Sequence, residues 1–254
     1  MSDGIVARLR QPLEARADLG AALAGAWSAL APGELARRAV AVGGRALELG
    51  ELFELRGTPG GRLRLEGDLS RADRLAAGLT EGAVEAEGDV GDEAGAGLAG
   101  GSLLVRGNAG ARAGGAAAEA RRGMTGGEIV VLGGAGPESG LRMRRGLLAV
   151  AGPAGANAGA SMIAGTLVLL APAPSGVGLW SKRGSVVALG PIAVPPTYRL
   201  ACTYQPVHLR LILGRLRAVY GLPIEERHLS GFYRRYSGDL ADLGKGEILE
   251  WIPS

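Results

Sequence analysis

The stretches GSLLVRG at 101–107 and GEIVVLG at 127–133 are two copies of one short pattern: a glycine, five residues with an apolar pair, and a closing residue that is usually glycine. The pattern occurs seven times in the middle of the chain. The steps between successive first glycines are 21, 19, 26, 19, 19 and 19 residues. A repeat of about 20 residues with one short strand in each unit is typical of a solenoid. The seven copies span 61–67, 82–88, 101–107, 127–133, 146–152, 165–171 and 184–190.

Apolar residues occupy the second and fourth positions after the first glycine in every copy. Alternation with a period of two places such residues on one face of a β-strand. Strands stacked about 4.8 Å apart turn these pairs into one apolar column that no single unit is able to bury alone. The sequence therefore predicts a mainly β fold, a right-handed parallel β-helix of about seven coils with roughly 19 residues each. The pairs are Leu63/Leu65, Val84/Ala86, Leu103/Val105, Ile129/Val131, Leu148/Val150, Leu167/Leu169 and Val186/Ala188.

The outward positions of the same strands change character along the chain. The last four copies carry one outward charge, Glu128, and are otherwise mainly apolar, whereas the first three copies carry six charges. Strands that are apolar on both faces are expected to be covered on both. We therefore predict that the second half of the repeat is covered, either by the C-terminal segment of the chain or by a partner subunit. The six charges of the first half are Arg62, Arg64, Glu66, Glu85, Glu87 and Arg106.

The repeat divides the chain into three parts. Residues 1–56 carry no repeat and are predicted to be an N-terminal cap that covers the exposed end of the apolar column. Residues 57–194 hold the coils. Residues 195–254 are predicted to pack on the coils or on a partner, with a helix at 206–220 and a tail laid on the surface from 224 onward. Pro206 suits a first helical turn, and a glycine with a nearby proline closes the helix.

Two further predictions concern the cap and the long step. In the cap, 17–30 and 33–41 read as short amphipathic helices, followed by a strand-like segment at 45–55. The 26-residue step contains seven residues more than the usual 19, and an alanine-rich stretch at 111–120 is the predicted outward loop that holds them.

Composition limits the possible chemistry. One cysteine, Cys202, permits no disulfide framework. The chain has only two histidines, His208 and His228, which are too few for a typical histidine-based metal site. No apolar run reaches the length of a membrane span, and the N-terminus lacks a signal-peptide pattern, so a cytoplasmic protein without a membrane partner is expected. The net charge of +3 comes from interleaved acids and arginines, which disfavours a nucleic-acid partner.

No catalytic arrangement is visible in the sequence. There is no Ser-His-Asp order, paired-carboxylate motif, metal-ligand spacing or P-loop. Asp89, Asp92 and Glu93 lie close together, but they are expected to be solvated at a coil corner. The sequence therefore predicts a scaffold with no catalytic, cofactor-binding or metal-binding residues of its own.

One edge of the coils is unusually basic. Arg144 and Arg145 occupy the same two positions before a strand glycine as Lys182 and Arg183, two coils further on. In stacked coils the two pairs would lie about 10 Å apart on one edge. They are either solvated charges or a binding track for an anionic partner or a polycarboxylate ligand. Further basic residues that would extend this basic edge are Arg121, Arg122 and Arg142.

Several of the repeat units resemble a known family. The segments GLAGGSLLVRGNAGARAGG at 97–115 and GMTGGEIVVLGGAGPESG at 123–140 resemble the glycine-repeat β-helix found in the C subunit of formylmethanofuran dehydrogenase. The C-terminal glycine-repeat domain of glutamate synthase is similar. The flanks at 42–57 and 232–251 resemble those of the C-subunit family, and they separate this chain from glutamate synthase.

The resemblance implies two settings. In one, the C subunit belongs to a molybdenum or tungsten dehydrogenase of methanogenic archaea. In the other, a related C subunit belongs to the formyltransferase/hydrolase complex of aerobic methylotrophic bacteria, which takes part in formaldehyde oxidation. That complex passes a formyl group from tetrahydromethanopterin to a methanofuran-type carrier and releases formate. A composition rich in alanine, glycine and arginine is typical of a GC-rich bacterial genome and favours the second setting.

In both settings the resemblance implies a non-catalytic member of a hetero-oligomer. Its expected partners are formyltransferase, amidohydrolase-like and B-type subunits, and the two cofactors are used by those partners. The carrier has a polyglutamate tail, which gives the basic edge of Arg144, Arg145, Lys182 and Arg183 a possible role.

Two other functions remain as alternatives at this point. A stand-alone acyltransferase with a left-handed β-helix would repeat every six residues and place a histidine between subunits, which the 19-residue steps and the position of His208 on a predicted helix disfavour. A glutamate-synthase-like spacer domain would need amidotransferase and synthase domains on other chains.

Overall fold

The computed structural model describes residues 4–25 and 27–253. Over these residues the chain forms a twelve-stranded sheet and a smaller four-stranded sheet, with short helices except for one of 14 residues. The helices are a 3-10 turn (Trp27–Ala29), α1 (Pro32–Ala36), α2 (Leu49–Leu52), α3 (Val207–Tyr220) and α4 (Glu226–Ser230). The strands are β1 (Ile5–Leu9), β2 (Ala17–Asp18), β3 (Ala39–Val42), β4 (Arg45–Glu48), β5 (Phe53–Gly57), β6 (Arg62–Glu66), β7 (Ala72–Asp73), β8 (Ala83–Ala86), β9 (Ser102–Val105), β10 (Thr125–Val131), β11 (Arg145–Val150), β12 (Thr166–Leu169), β13 (Arg183–Ala188), β14 (Arg199–Tyr204), β15 (Tyr233–Gly238) and β16 (Lys245–Trp251).

The large sheet is mostly parallel. Its order is β14-β15-β16-β13-β12-β11-β10-β9-β8-β6-β1-β5, and antiparallel pairs occur only at its two ends among the described residues. The seven strands predicted from the repeat are β6 and β8 to β13, and each pairs in parallel with the next. The prediction of a mainly β fold is therefore confirmed at the level of a large, mostly parallel sheet.

The predicted apolar pairs form the main core. Leu103 and Val105 of β9 lie opposite Ile129 and Val131 of β10, and all four are buried. The corresponding residues of the other predicted strands belong to the same cluster, except Ala188, which is buried as well. A second column of parallel bridges lies outside the strands and joins Leu69, Val90, Ala109, Ala135 and Ala154 in order.

The first glycine of each unit makes close stacking possible. Gly101 has a positive φ of 68°, a conformation that costs side-chain-bearing residues free energy. A Cβ at Gly101 would lie 2.4 Å from the carbonyl oxygen of Gly82, the equivalent glycine one unit earlier. Both the turn and the close approach of the backbones therefore require glycine here.

The predicted helical character of the N-terminal cap is present only in part. Within 17–30 the chain forms β2, a series of turns and a 3-10 turn instead of an α-helix, and within 33–41 residues 33–36 belong to α1 but 39–41 belong to β3. The backbone of β2 pairs with β3 and with β7, and Ala17 is fully buried. These long-range pairings override the local preference of alanine and leucine for helix.

The cap also contributes a strand to the large sheet. Strand β1 lies between β5 and β6, parallel to β6, and its Ile5 and Ala7 continue the buried apolar column. Sequence reasoning missed this strand because its glycine, Gly4, stands 57 residues before the first recognised copy, at Gly61.

The C-terminal helix is confirmed. Helix α3 spans Val207–Tyr220 and ends at Gly221, which has a left-handed φ of 67°. Its buried residues Leu209, Leu213 and Leu216 form a second apolar cluster with the outward residues of β10 to β13. Helix α3 of the chain itself therefore covers the outward face of β10 to β13. Those outward residues are Val130, Ala149, Val168 and Val187.

The prediction that the tail lies on the surface is wrong. Strand β16 pairs in parallel with β13, and Ile248 and Leu249 are fully buried on its two faces. Strand β15 pairs antiparallel with β16, and β14 with β15. The tail therefore supplies the strand that pairs with the otherwise open edge of β13.

The extra residues of the long step are placed only partly as predicted. Arg112 keeps its place in the stack, since its N–H donates to the carbonyl oxygen of Pro137 at 2.8 Å. Gly115 bonds back to Arg112, and Met124 rejoins the stack by bonding to the oxygen of Gly114. Ala116 is still in register, since its N–H donates to the carbonyl oxygen of Leu141 at 2.9 Å. The seven added residues are therefore 117–123 rather than the first half of 111–120.

Candidate functional site

The four residues of the basic edge lie together as the spacing predicts. Backbone N–H groups of Arg144, Ile163 and Lys182 each donate to the methionine carbonyl oxygen one unit earlier, at 2.9, 2.7 and 2.8 Å. Arg145 and Arg183 follow directly as the first residues of β11 and β13. Because β12 separates these strands, the two basic pairs stand about 10 Å apart.

The charges of this edge are not neutralised within the described chain. Arg145, Lys182 and Arg183 are exposed and Arg144 is half-buried. Among residues 4–25 and 27–253, none of the four forms an ion pair, although arginines elsewhere on the sheet commonly do. This edge therefore presents unpaired positive charge to any ligand or partner.

The structure adds one residue to the edge that sequence reasoning missed. Lys245 of β16 pairs in register with Arg183 of β13, so the row of basic residues continues onto the tail strand. A tail laid on the surface, as the sequence predicts, would not place this residue in the sheet. The signal that could have found it is GEILEW at 246–251, which repeats the glycine and the apolar residue two positions later, although Glu250 replaces the second apolar residue of the pair.

The basic edge ends beside exposed apolar side chains. Trp180 and Leu240 are each 57% exposed, and Leu243 is 53% exposed. The buried carboxylate of Asp239 accepts hydrogen bonds from the N–H groups of Trp180 and Ala241, both at 2.8 Å. Through these bonds the carboxylate holds the turn with Leu240 and Leu243 against the backbone of Trp180.

The other basic residues named from the sequence belong to the inserted loop and its anchor. Arg142 donates to the carbonyl oxygen of Ala120 at 3.2 Å, which ties the loop of 117–123 to the following repeat unit. Arg121 and Arg122 lie exposed on that loop.

The acidic cluster of Asp89, Asp92 and Glu93 has a structural role, although Asp89 is exposed to solvent as expected. Oδ1 of Asp89 accepts from the N–H of Asn108 at 2.7 Å, and Oδ1 of Asp92 accepts from the N–H of Ala111 at 2.8 Å. Glu93 is half-buried and pairs with Arg112 at 2.7 Å. These carboxylates bind the backbone and side chains of the next unit. Across the described residues, no group of three or more metal-ligating side chains comes together.

The single outward charge of the second half is also accounted for. Oε2 of Glu128 accepts from the hydroxyl of Tyr220 at 2.6 Å and from Nη2 of Arg215 at 2.8 Å. Burial, followed by the hydrogen bond to Glu128, raises the pKa of Tyr220 well above its ordinary value. The network fastens the end of α3 to the sheet and offers no exposed acid or base.

A groove opens where α3 ends. It has a volume of 480 Å³ and runs over the outward faces of β6, β8 and β9 as far as Tyr220. Arg64 and Arg106 in its floor are paired with Glu87 and Glu85 at 2.6 and 2.5 Å. The groove therefore differs from the basic edge, whose four charges form no ion pair with any residue that the structure describes.

Comparison with known proteins decides the family. No protein-family model matches the sequence. Over 84 residues, 33% of this chain and 32% of the relative, it is 38% identical to the C subunit of the Fhc formyltransferase/hydrolase complex of Methylorubrum extorquens. A chain in the crystal structure of the FhcABCD complex from that organism, determined with methylofuran, superimposes with a TM-score of 0.80 and 35% identity. The superposition covers 98% of this chain and all of that one. The chain belongs to the family of formyltransferase/hydrolase complex C subunits.

Membership of this C-subunit family confirms the resemblance seen in the repeats and flanks. The sequence alignment with the curated relative spans about a third of that protein, whereas the superposition spans whole chains. The structural match therefore includes the cap and the tail as well as the repeat. None of the helices in the part of the chain that the structure describes is long and apolar enough to cross a membrane.

Proposed function

We propose that this chain is the structural subunit of a formyltransferase/hydrolase complex and has no catalytic role of its own. The observation that carries the proposal is the superposition on a chain of the FhcABCD complex over 98% of the present chain. In the proposed complex, partner subunits transfer a formyl group from tetrahydromethanopterin to a methanofuran-type carrier and hydrolyse the product to formate. The partners are formyltransferase, amidohydrolase-like and B-type subunits, and the complex is cytoplasmic.

The chemistry of the described residues supports a scaffold. The half-buried carboxylates Asp92 and Glu93 are engaged in bonds between successive units, and Glu128 is engaged with α3. Polar groups used in this way rigidify a structure and are not free to exchange protons with a substrate. The large sheet then serves as a wall on which partners are held.

We also propose the finer architecture of this wall. The units of 57–194 wind as a right-handed parallel β-helix, with 1–56 as the cap and 195–254 as the covering segment. The second column of parallel bridges, through Val90 and Ala135, supports winding because it repeats at the same place in successive units. The right hand follows the strong preference of parallel crossover connections.

We propose further that the basic edge binds the anionic tail of the carrier. Arg144, Arg145, Lys182 and Arg183 form no ion pair within 4–25 and 27–253 and lie in register, and Lys245 extends the row. A polyglutamate chain presents carboxylates in series, which matches a row of cations in series. Arginine and lysine bind carboxylates through charge-assisted hydrogen bonds, and such exposed contacts weaken with salt.

Co-purification tests the proposed complex directly. A tagged copy of the full chain is expressed in the native host, and the proteins that remain bound are identified by mass spectrometry. Formyltransferase and amidohydrolase-like subunits are the expected partners. A molybdopterin-containing subunit in their place would assign the chain to a formylmethanofuran dehydrogenase and contradict the proposal.

Charge reversal tests the basic edge within the purified complex. The double variant Arg145→Glu/Arg183→Glu is compared with Arg37→Glu/Arg45→Glu, which changes the same charge at exposed residues of the cap. We expect the edge variant to raise the KM for the carrier about tenfold at low salt with kcat retained, because tail binding is lost while the active sites are intact. Equal KM values for the carrier in the two variants would show that the basic edge does not bind the carrier.

A further inference from the structure

Helix α3 is apolar on two opposite sides, and only one of them is covered by the chain. Leu209, Leu213 and Leu216 face the sheet and are buried. On the far side, Val207 is 69% exposed and Leu211 is 80% exposed. An ordinary surface helix carries polar residues opposite its buried face, whereas a helix that is apolar around its axis is normally buried on both sides.

Four residues on the far side form one straight stripe, whereas Val219, which is 56% exposed, lies beside it. Positions 207, 211, 214 and 218 follow each other at steps of four, three and four residues, which is the spacing of a helix–helix seam. The stripe runs about 16 Å along the helix. Two of its four members, Gly214 and Ala218, are small, and a Cβ at Gly214 would meet nothing within 4 Å. A second helix is therefore able to approach the backbone of α3 closely along this outer stripe.

The charges beside the outer stripe select the partner. His208 and Arg215 lie on one side of it and Arg210 and Arg217 on the other, and α3 contains no aspartate or glutamate. Arg215 and Arg217 are paired with Glu128 and Glu226, but Arg210 forms no ion pair within the described residues. A second copy of this chain would place arginines against arginines, which is unfavourable.

We propose that the outer stripe of α3 is a docking surface for an amphipathic helix of a partner subunit, one with an apolar seam flanked by glutamate or aspartate. Leu211 is the central anchor and enters a gap between the partner's seam residues. Arg210 meets the partner's carboxylates beside the seam. This inference rests on the proposed function, because it assigns one contact within the hetero-oligomer.

The test uses the full chain in its complex. Tagged wild-type chain and the variants Leu211→Glu, Arg210→Glu and Leu200→Glu are each expressed in the native host, and each bound subunit is quantified per tagged chain. Leu200→Glu is the matched control, since it places the same charge at an exposed leucine of β14, away from α3 and from the basic edge. Thermal unfolding of the free chains checks that Leu211→Glu leaves the fold intact, as its side chain has little contact with the chain.

The expected result is the loss of one particular subunit. Leu211→Glu should reduce the amount of that subunit at least tenfold, and Arg210→Glu should reduce it at low salt and less so at high salt. The control should retain the wild-type amount. Wild-type levels of every subunit on Leu211→Glu would overturn the docking surface while leaving the proposed function in place. A change from dimer to monomer in the free Leu211→Glu chain, with the complex intact, would assign the stripe to a second copy and also overturn it. If the unaltered chain retains no partner, both proposals fail.

Discussion

At the residue scale, equivalent positions in successive units perform the same physical task. Oδ1 of Asp73 accepts from the N–H of Asp92, and Oδ1 of Asp92 accepts from the N–H of Ala111, each at 2.8 Å and each 19 residues further along the chain. A short polar side chain thus satisfies a backbone N–H that the turn between strands would otherwise leave unpaired. Repetition of one residue type at one position is therefore explained by stacking and does not indicate a catalytic group.

The stacked glycines give the first prediction. Replacing Gly101 by alanine should lower the free energy of unfolding by about 2–4 kcal/mol, because it combines a strained backbone with a Cβ too close to a backbone oxygen. Gly97 lies in the same unit with a φ of 66°, and a Cβ there would meet nothing within 4 Å. Gly97→Ala should therefore cost only the strain, about 1–2 kcal/mol.

Chemical denaturation of the two free chains measures this difference. Equal losses in the two variants would show that backbone strain alone, and not the close stacking of units, makes glycine necessary at position 101.

At the element scale, the strands and the long helix were predictable and the cap was not. The pairs such as Leu103/Val105 repeat seven times with a period of two, and α3 has a wide apolar face with a clear start and end. By contrast, β2 is two residues long and exists because it pairs with β7 more than 50 residues away. No local pattern encodes such a pairing. The tail strand β16 carries only part of the repeat pattern, since Glu250 replaces the second apolar residue, and it has no neighbouring copy 19 residues away to reveal it.

The basic edge likewise has a part that the local sequence pattern predicts and a part that depends on long-range pairing. The register of Arg144 with Lys182 followed from the spacing of the repeat, because the strand between them fixes the distance. Lys245 joined the edge only through the long-range pairing of β16 with β13. The position of Trp180 next to the turn of Leu240 rests on a hydrogen bond from the N–H of Trp180 to the carboxylate of Asp239, 59 residues later in the chain. No local pattern predicts this bond.

Two leucines on α3 give the second prediction, at the scale of this element. Leu213 is fully buried between the helix and the sheet, and Leu211 is 80% exposed. Leu213→Ala should lower the free energy of unfolding of the free chain by about 2–5 kcal/mol, since it leaves a cavity in the second apolar cluster. Leu211→Ala should change it by less than about 0.5 kcal/mol.

Urea denaturation of both free variants tests the pair. A large loss for Leu211→Ala in the free chain would mean that this side chain supports the fold itself, contrary to its proposed use in docking a partner.

At the scale of the whole molecule, both ends of the parallel array are closed by strands from outside the recognised repeat. Strand β1 and antiparallel β5 close one end, and β16, β15 and β14 extend the other. An open edge of a parallel sheet presents unpaired N–H and C=O groups that invite pairing with another chain. The flanking segments therefore protect the array as well as complete it.

Removal of the tail gives the third prediction. A chain that ends at residue 231 lacks β15 and β16 and leaves the edge of β13 unpaired. We expect a larger fraction of this truncated chain to sediment as high-mass species than of a control chain that ends at residue 251, which keeps β16. Indistinguishable sedimentation profiles of the two chains would show that β16 is not needed to protect that edge.

The parallel array also fixes the distance between its two ends. From β1 to β16 it contains nine parallel strands in unbroken order, so its two ends are held about 38 Å apart by eight strand spacings. Gaining or losing one unit of the repeat would move the ends by about one strand spacing, 4.8 Å. The number of repeat units in the sequence therefore sets the separation of any two proteins bound at opposite ends. A flexible molecule that must reach both of them has to span about 38 Å.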